Sequence, residues 1–149
     1  MPLYFIYPLY TAILAIIAKI LIPKDELKRL FTYALFFGGA ADVIVILSYR
    51  FLNMGGYINY GPFGFMGLPF FPIIAWICFF MIYYCFLPEM KIVRFAYIVI
   101  AAAYSVFFSN ILINLGIFRW NYGRVVVPFC VFLIWISLAT WGFLKLKLK

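Results

Sequence analysis

The sequence predicts an all-α, polytopic membrane protein, a single domain of 149 residues built as a bundle of five transmembrane helices. Its N-terminus is expected outside and its C-terminus in the cytoplasm. Three observations predict this class. Hydrophobic residues make up 69% of the chain and charged residues 11%, against roughly 45–50% and about 25% in a water-soluble domain, so a soluble core of this size would not hide the apolar surface. The apolar residues fall into five runs of about 20, the length at which an α-helix crosses a hydrocarbon layer about 30 Å thick. The basic residues sit between and beside these runs, biased to one side.

The first run, 3–22, lacks the basic leading region and small-residue cleavage site of a removable signal peptide. Lys19 snorkels to the nearby interface, and Pro23 closes the segment. Lys24-Asp25-Glu26-Leu27-Lys28-Arg29 reads as a short helical turn with a solvated face, Asp25 standing three and four residues before Lys28 and Arg29. The second run, 31–51, carries Asp42 near its middle and Arg50 at its end. Residues 53–67 hold five of the ten glycines (Gly55, Gly56, Gly61, Gly64, Gly67) with Tyr57, Tyr60, Phe63 and Phe65. This composition predicts a non-helical interfacial loop with aromatics at headgroup level. A functional version of that loop is a lid over an outward-facing cavity.

The third run, 68–87, opens with Pro69 and Pro72, at positions a helix tolerates. Pro88-Glu89-Met90-Lys91 makes a tight turn. The fourth run, 92–115, ends in a more polar half containing Ser105, Ser109, Asn110 and Asn114. A loop with Arg119 and Trp120 leads to the fifth run, 125–144, and to a tail with Lys145, Lys147 and Lys149. Five alternating spans put Arg50, Arg119 and Arg124 on one side. The other side holds Lys19, Lys24, Lys28, Arg29, Lys91, Arg94, Lys145, Lys147 and Lys149. The positive-inside rule makes that richer side cytoplasmic, in a multi-pass protein of the plasma or inner membrane.

The net charge of +8 is therefore read as topology and contact with an anionic cytoplasmic leaflet, not as a nucleic-acid surface. The chain has no histidine, which removes the commonest metal ligand and general base. Cys78, Cys85 and Cys130 lie inside apolar runs without metal-ligand spacing and are read as small buried hydrophobes. No metal and no cofactor is expected.

Asp42 is the residue that demands an explanation, because an ionisable group at bilayer depth is costly and needs a partner. It lies about 16 Å above the cytoplasmic start of its run. The same depth in the other runs holds Tyr10 and Thr11, Trp76 to Cys78, Ser105 and the neighbourhood of Trp135. Arg50 is about 12 Å further along the same helix and turned about 80° away, so it is not a direct partner. Ala34, Gly38 and Asp42, like Ala101, Ser105 and Ser109, recur at intervals of four. Such small-residue ridges allow close helix approach. They lead to the expectation that spans two and four are parallel neighbours with Asp42 facing Ser105 and Ser109. Asp42 is then either a neutral acid donating to Ser105, Tyr104 or a backbone carbonyl, or a carboxylate in a wet, outward-opening cavity that binds a proton, a cation or a polar ligand group. The candidate ligand or ion contacts are Asp42, Tyr49, Trp76, Ser105, Ser109, Asn110 and Asn114. The last two serve equally as hydrogen bonds near a helix end.

For function, the sequence offers no Ser–His pair, metal constellation or paired intramembrane carboxylates, so an enzyme is not the first reading. That first reading is a small non-enzymatic integral membrane protein, acting as an accessory subunit of a larger membrane complex or as a homo-oligomer. The second is a small carrier or binder of an amphipathic or cationic ligand centred on Asp42. Gly67-Leu68-Pro69-Phe70-Phe71-Pro72, with Trp76 after it, resembles segments of small membrane carotenoid cyclases over about ten residues. That resemblance implies an enzyme acting on an isoprenoid or lipid. Phe70 and Phe71 stand here where those enzymes look as though they depend on acidic residues.

Overall fold

The structure is a computed structural model that describes residues 3–65 and 68–147. Gly67 of the glycine-rich loop and Lys149 of the basic tail lie outside the described residues. Four helices are long and apolar enough to cross a membrane. They are α1 (Leu3–Leu21), α2 (Lys24–Phe51), α4 (Lys91–Asn114) and α5 (Val126–Lys147). Between α2 and α4 lies α3 (Phe70–Cys85), apolar but only 16 residues long. At helical rise that is about 24 Å, short of a full hydrocarbon layer. Of the five spans expected, four therefore meet the length criterion.

Helix α2 departs from expectation at its start. Lys24 to Arg29 is no separate turn but the beginning of the same helix that carries Asp42. Pro23 is its extended N-cap, Asp25 and Glu26 fill the first turn, and no breaker follows. Arg29 pairs with Glu26, three residues before it, and not with Asp25. Midway, Leu35–Ala40 widens into a π-helical segment, in which the Ala41 amide reaches back to the Phe36 carbonyl five residues earlier. The Gly38–Gly39 pair sits inside it. A π-bulge of this kind shifts the phase of everything that follows.

Despite its length, α3 is the hub. It packs against α1 and against both halves of α2, and its buried residues face several directions. Helices α2 and α3 come close at Gly38, where an added Cβ would stand 2.9 Å from the Trp76 carbonyl oxygen. The small-residue ridge of α2 therefore meets α3, and not α4 as expected. A small-xxx-small pattern licenses close approach without naming the neighbour. Helices α4 and α5 form a second packed pair. The two groups are joined largely through aromatic side chains: Trp76 against Trp135 (centroids 4.3 Å apart), and Tyr84 stacked on Phe143 (4.1 Å, 8° between planes).

The loop end of the bundle carries strands that an all-α reading omits. Strand β1 (Gly55–Tyr57) pairs antiparallel with β4 (Phe118–Trp120), and β2 (Gly64–Phe65) pairs with β3 (Leu68–Pro69). Gly55 is required where it stands, because φ is +130° and a Cβ would fall 2.0 Å from the Arg119 carbonyl oxygen. Tyr7 of α1 clamps this cap with its one hydroxyl proton shared between the Ile58 and Ile117 carbonyls, at 2.5 and 2.6 Å. The glycine-rich stretch is thus non-helical, as expected, and held as a small roof. Lys19, Lys24, Lys28, Arg29, Lys91, Arg94, Lys145 and Lys147 all belong to the opposite, basic end.

Candidate functional site

A cavity of about 60 Å³ lies between the α1–α2–α3 group and the α4–α5 pair, large enough for a few water molecules by volume. Its position follows from the local folding of α2. After the π segment, the helix presents Asp42 and Tyr49, two turns apart, to this space. Asp42 is 2% exposed, and its Oδ2 has no hydrogen-bond partner among the described residues. The Tyr10 hydroxyl, on the same wall, is likewise buried without a partner. An unpaired buried polar atom costs about 1–3 kcal/mol, so two on one cavity are a local expense that packing elsewhere must offset.

The serines and tryptophans around the cavity are already engaged in hydrogen bonds. Ser105 and Ser109 spend their protons on backbone carbonyls of their own helix, Ala101 and Val106, at 2.9 and 2.8 Å. The Trp120 indole donates to Ser109 Oγ at 3.1 Å, and the Trp76 indole donates to the Tyr57 hydroxyl at 3.3 Å. Trp135 donates to the Phe37 carbonyl, inside the π segment, at 2.8 Å. Tyr57, in the strand that roofs the site, is partly buried; desolvation, followed by Asp42 and Tyr10, raises its phenol above the ordinary range, and the Trp76 hydrogen bond acts against that rise. The phenol therefore stays neutral and keeps its proton for donation.

Of the candidate residues, Asp42, Tyr49, Trp76, Ser105 and Ser109 come together around the cavity. Tyr10 and Trp135, matched to Asp42 by depth alone, line it as well. Thr11 is buried next to that wall but turns its hydroxyl to the Tyr7 and Phe71 carbonyls. Asn110 and Asn114 do not take part. Asn110 donates to the Val106 and Arg124 carbonyls, and Asn114 accepts from the Arg124 guanidinium, so both serve the end of α4. Missed by the sequence reading were Tyr57 and Phe118, which reach the cavity from β1 and β4. The one available signal was an aromatic directly after the Gly55–Gly56 pair.

Chemically, the arrangement is a mostly aromatic chamber with one carboxyl, no paired acid and no metal-ligand group of three or more His, Cys, Asp or Glu among the described residues. It can enclose an apolar body and offer it a single strong hydrogen-bonding point. The class so defined is a small helical protein with membrane-length helices and an internal aromatic chamber around a lone carboxyl. No protein family, curated protein or solved structure matches the chain.

Proposed function

We propose that the chain is a non-enzymatic, multi-pass protein of the cell membrane that binds an amphipathic, membrane-soluble ligand in the Asp42 chamber. The single observation carrying this reading is the buried Asp42 Oδ2, unpartnered among the described residues on the wall of a cavity. A purely structural acid would be expected to have found a donor or acceptor in the surrounding helices. In the proposed topology all five helices pass through the bilayer, with α3 completed at its ends by β3 and by Phe86-Leu87. The basic end faces the cytoplasm, as the distribution of Lys and Arg supports. The exposed apolar face of α1, with Leu9, Ile13, Ile16 and Ile20, is what lipid covers, so an accessory role is the second reading and the cavity carries the first.

The test uses the purified full chain in dodecyl maltoside, with dodecylamine and dodecanol as probes. Asp42→Asn is expected to keep the protein monodisperse and to weaken its thermal shift with dodecylamine by about tenfold in concentration, since a hydrogen bond to a charged group contributes about 1.5–3 kcal/mol. Aggregation of Asp42→Asn, or an unchanged response to both probes, would sink the proposal.

A further inference from the structure

The chamber of about 60 Å³ has room for a few water-sized groups, so a long alkyl chain does not fit inside it. A ligand whose polar head meets Asp42 must therefore pass its chain out through a wall. Most of the wall is closed. Pro72, Ala75, Leu112, Phe132 and Trp135 are all buried. Toward the loop end, Tyr57 and Phe118 pack edge to face, with centroids 4.9 Å apart, beneath the β1–β4 pairing.

The exception lies between α1 and α4. Among the described residues lining the chamber, Tyr104 of α4 alone is exposed, at 53%. Leu14, half-buried, lines the same space from α1. Helix α1 packs on α3, and α4 packs on α5. What bridges α1 and α4 at this depth is a ring contact, Tyr10 edge-on to Phe108 with centroids 5.5 Å apart. Phe108 in turn lies nearly parallel to Tyr104, with 14° between planes. The surface beside this seam is apolar: Ile13 and Ile17 on α1, and Phe107 and Ile111 on α4, are all exposed. At helical rise Tyr104 stands about 15 Å from the loop end of α4, deep within the span. In the proposed topology an opening here meets lipid chains and not water.

We propose that the seam at Leu14, Tyr104 and Phe108 is a channel for the ligand's tail. The ligand is then a single-chain amphiphile with a compact head, the head at Asp42 and the chain running out between α1 and α4 into the bilayer. This rests on the ligand-binding reading above and adds the class of ligand and the side from which it comes. The chamber limits the size of the head, whereas the bilayer accommodates the length of the chain.

Photolabelling of the full chain in dodecyl maltoside tests it, with dodecylamine carrying a diazirine near its chain end. Only labelling that excess plain dodecylamine removes is counted. That labelling is expected on residues 10–17 of α1 and 100–111 of α4. Competed label on β1 or β4 instead would overturn the channel and leave the Asp42 reading standing. Competed label on the seam that Asp42→Asn does not reduce would keep the channel and overturn the Asp42 reading. Absence of competed label anywhere would overturn both. Leu14→Trp, which puts a larger side chain in the seam, should raise the dodecylamine concentration needed for a given thermal shift about tenfold, as if two methylene groups lost their cover. Ile16→Trp, on the exposed face of the same helix, should leave it unchanged. An unaltered response in a folded Leu14→Trp protein would also overturn the channel; should that variant not fold, the labelling of the native chain decides.

Discussion

The interface between the α1–α2–α3 group and the α4–α5 pair has two halves built from similar residues in opposite conditions. Toward the basic end it is filled. Tyr84 stacks on Phe143 and donates to the Ala139 carbonyl at 3.0 Å, Tyr83 shares a 2.6 Å hydrogen bond with Thr140, and Tyr97 donates to the Tyr83 carbonyl at 2.8 Å. Toward the loop end the same kinds of aromatics surround a gap, and two polar atoms, Asp42 Oδ2 and Tyr10 Oη, lack partners among the described residues. One half has its rings and hydroxyls matched, as a folding core requires. The other is underpacked at a definite place, as a binding chamber requires. Aromatic richness alone, at 23% of the chain, does not distinguish the two. Hydrogen-bond satisfaction does.

The contrast can be broken at its strong side first. Phe143→Ala removes a ring that is 2% exposed and stacked on Tyr84. It should cost about 3–5 kcal/mol, read as a large fall in the thermal midpoint or as loss of folded protein. A cost near zero would mean that the filled half does not hold the groups together. At the open side, Asp42→Leu should instead stabilise the unliganded protein by about 1–2 kcal/mol, because it deletes a buried polar atom without a partner. Destabilisation by a similar amount would give the carboxyl a structural role. The smallest effect sharpens the comparison most. Tyr83→Phe removes the hydrogen bond to Thr140 Oγ1, which keeps its own bond to the Ile136 carbonyl, and should cost about 1 kcal/mol, whereas Tyr10→Phe removes a buried hydroxyl bonded to nothing described and should stabilise by about 1 kcal/mol. Equal midpoints for the two variants would erase the distinction.

Much of the site was legible because helical rise is constant. Counting residues from one interface put Tyr10, Trp76, Ser105 and Trp135 at the depth of Asp42, and the cavity gathers all four. Azimuth was less legible. Gly38 meets α3 from inside the π turn, which shifts the phase of the residues after it, and no period in the sequence marks that insertion. The charged stretch from Lys24 to Arg29 hid the true start of α2, since polarity there argues against bilayer depth but not against helix. The β1–β4 pairing joins residues more than sixty positions apart, and three-residue strands carry too little alternation to be read. The place of Tyr57 on the cavity wall was not legible for the same reason.

The extra residue in the wide turn of α2 also works as a rotational offset. Each residue of an α-helix advances about 100°. Deleting one position from Leu35–Ala40 would restore a regular helix and swing Asp42, Tyr49 and Arg50 together away from the places they now serve. The chamber would lose its carboxyl and a phenol through a change that does not touch it. A single codon's length thus sets the aim of the whole upper half of that rod.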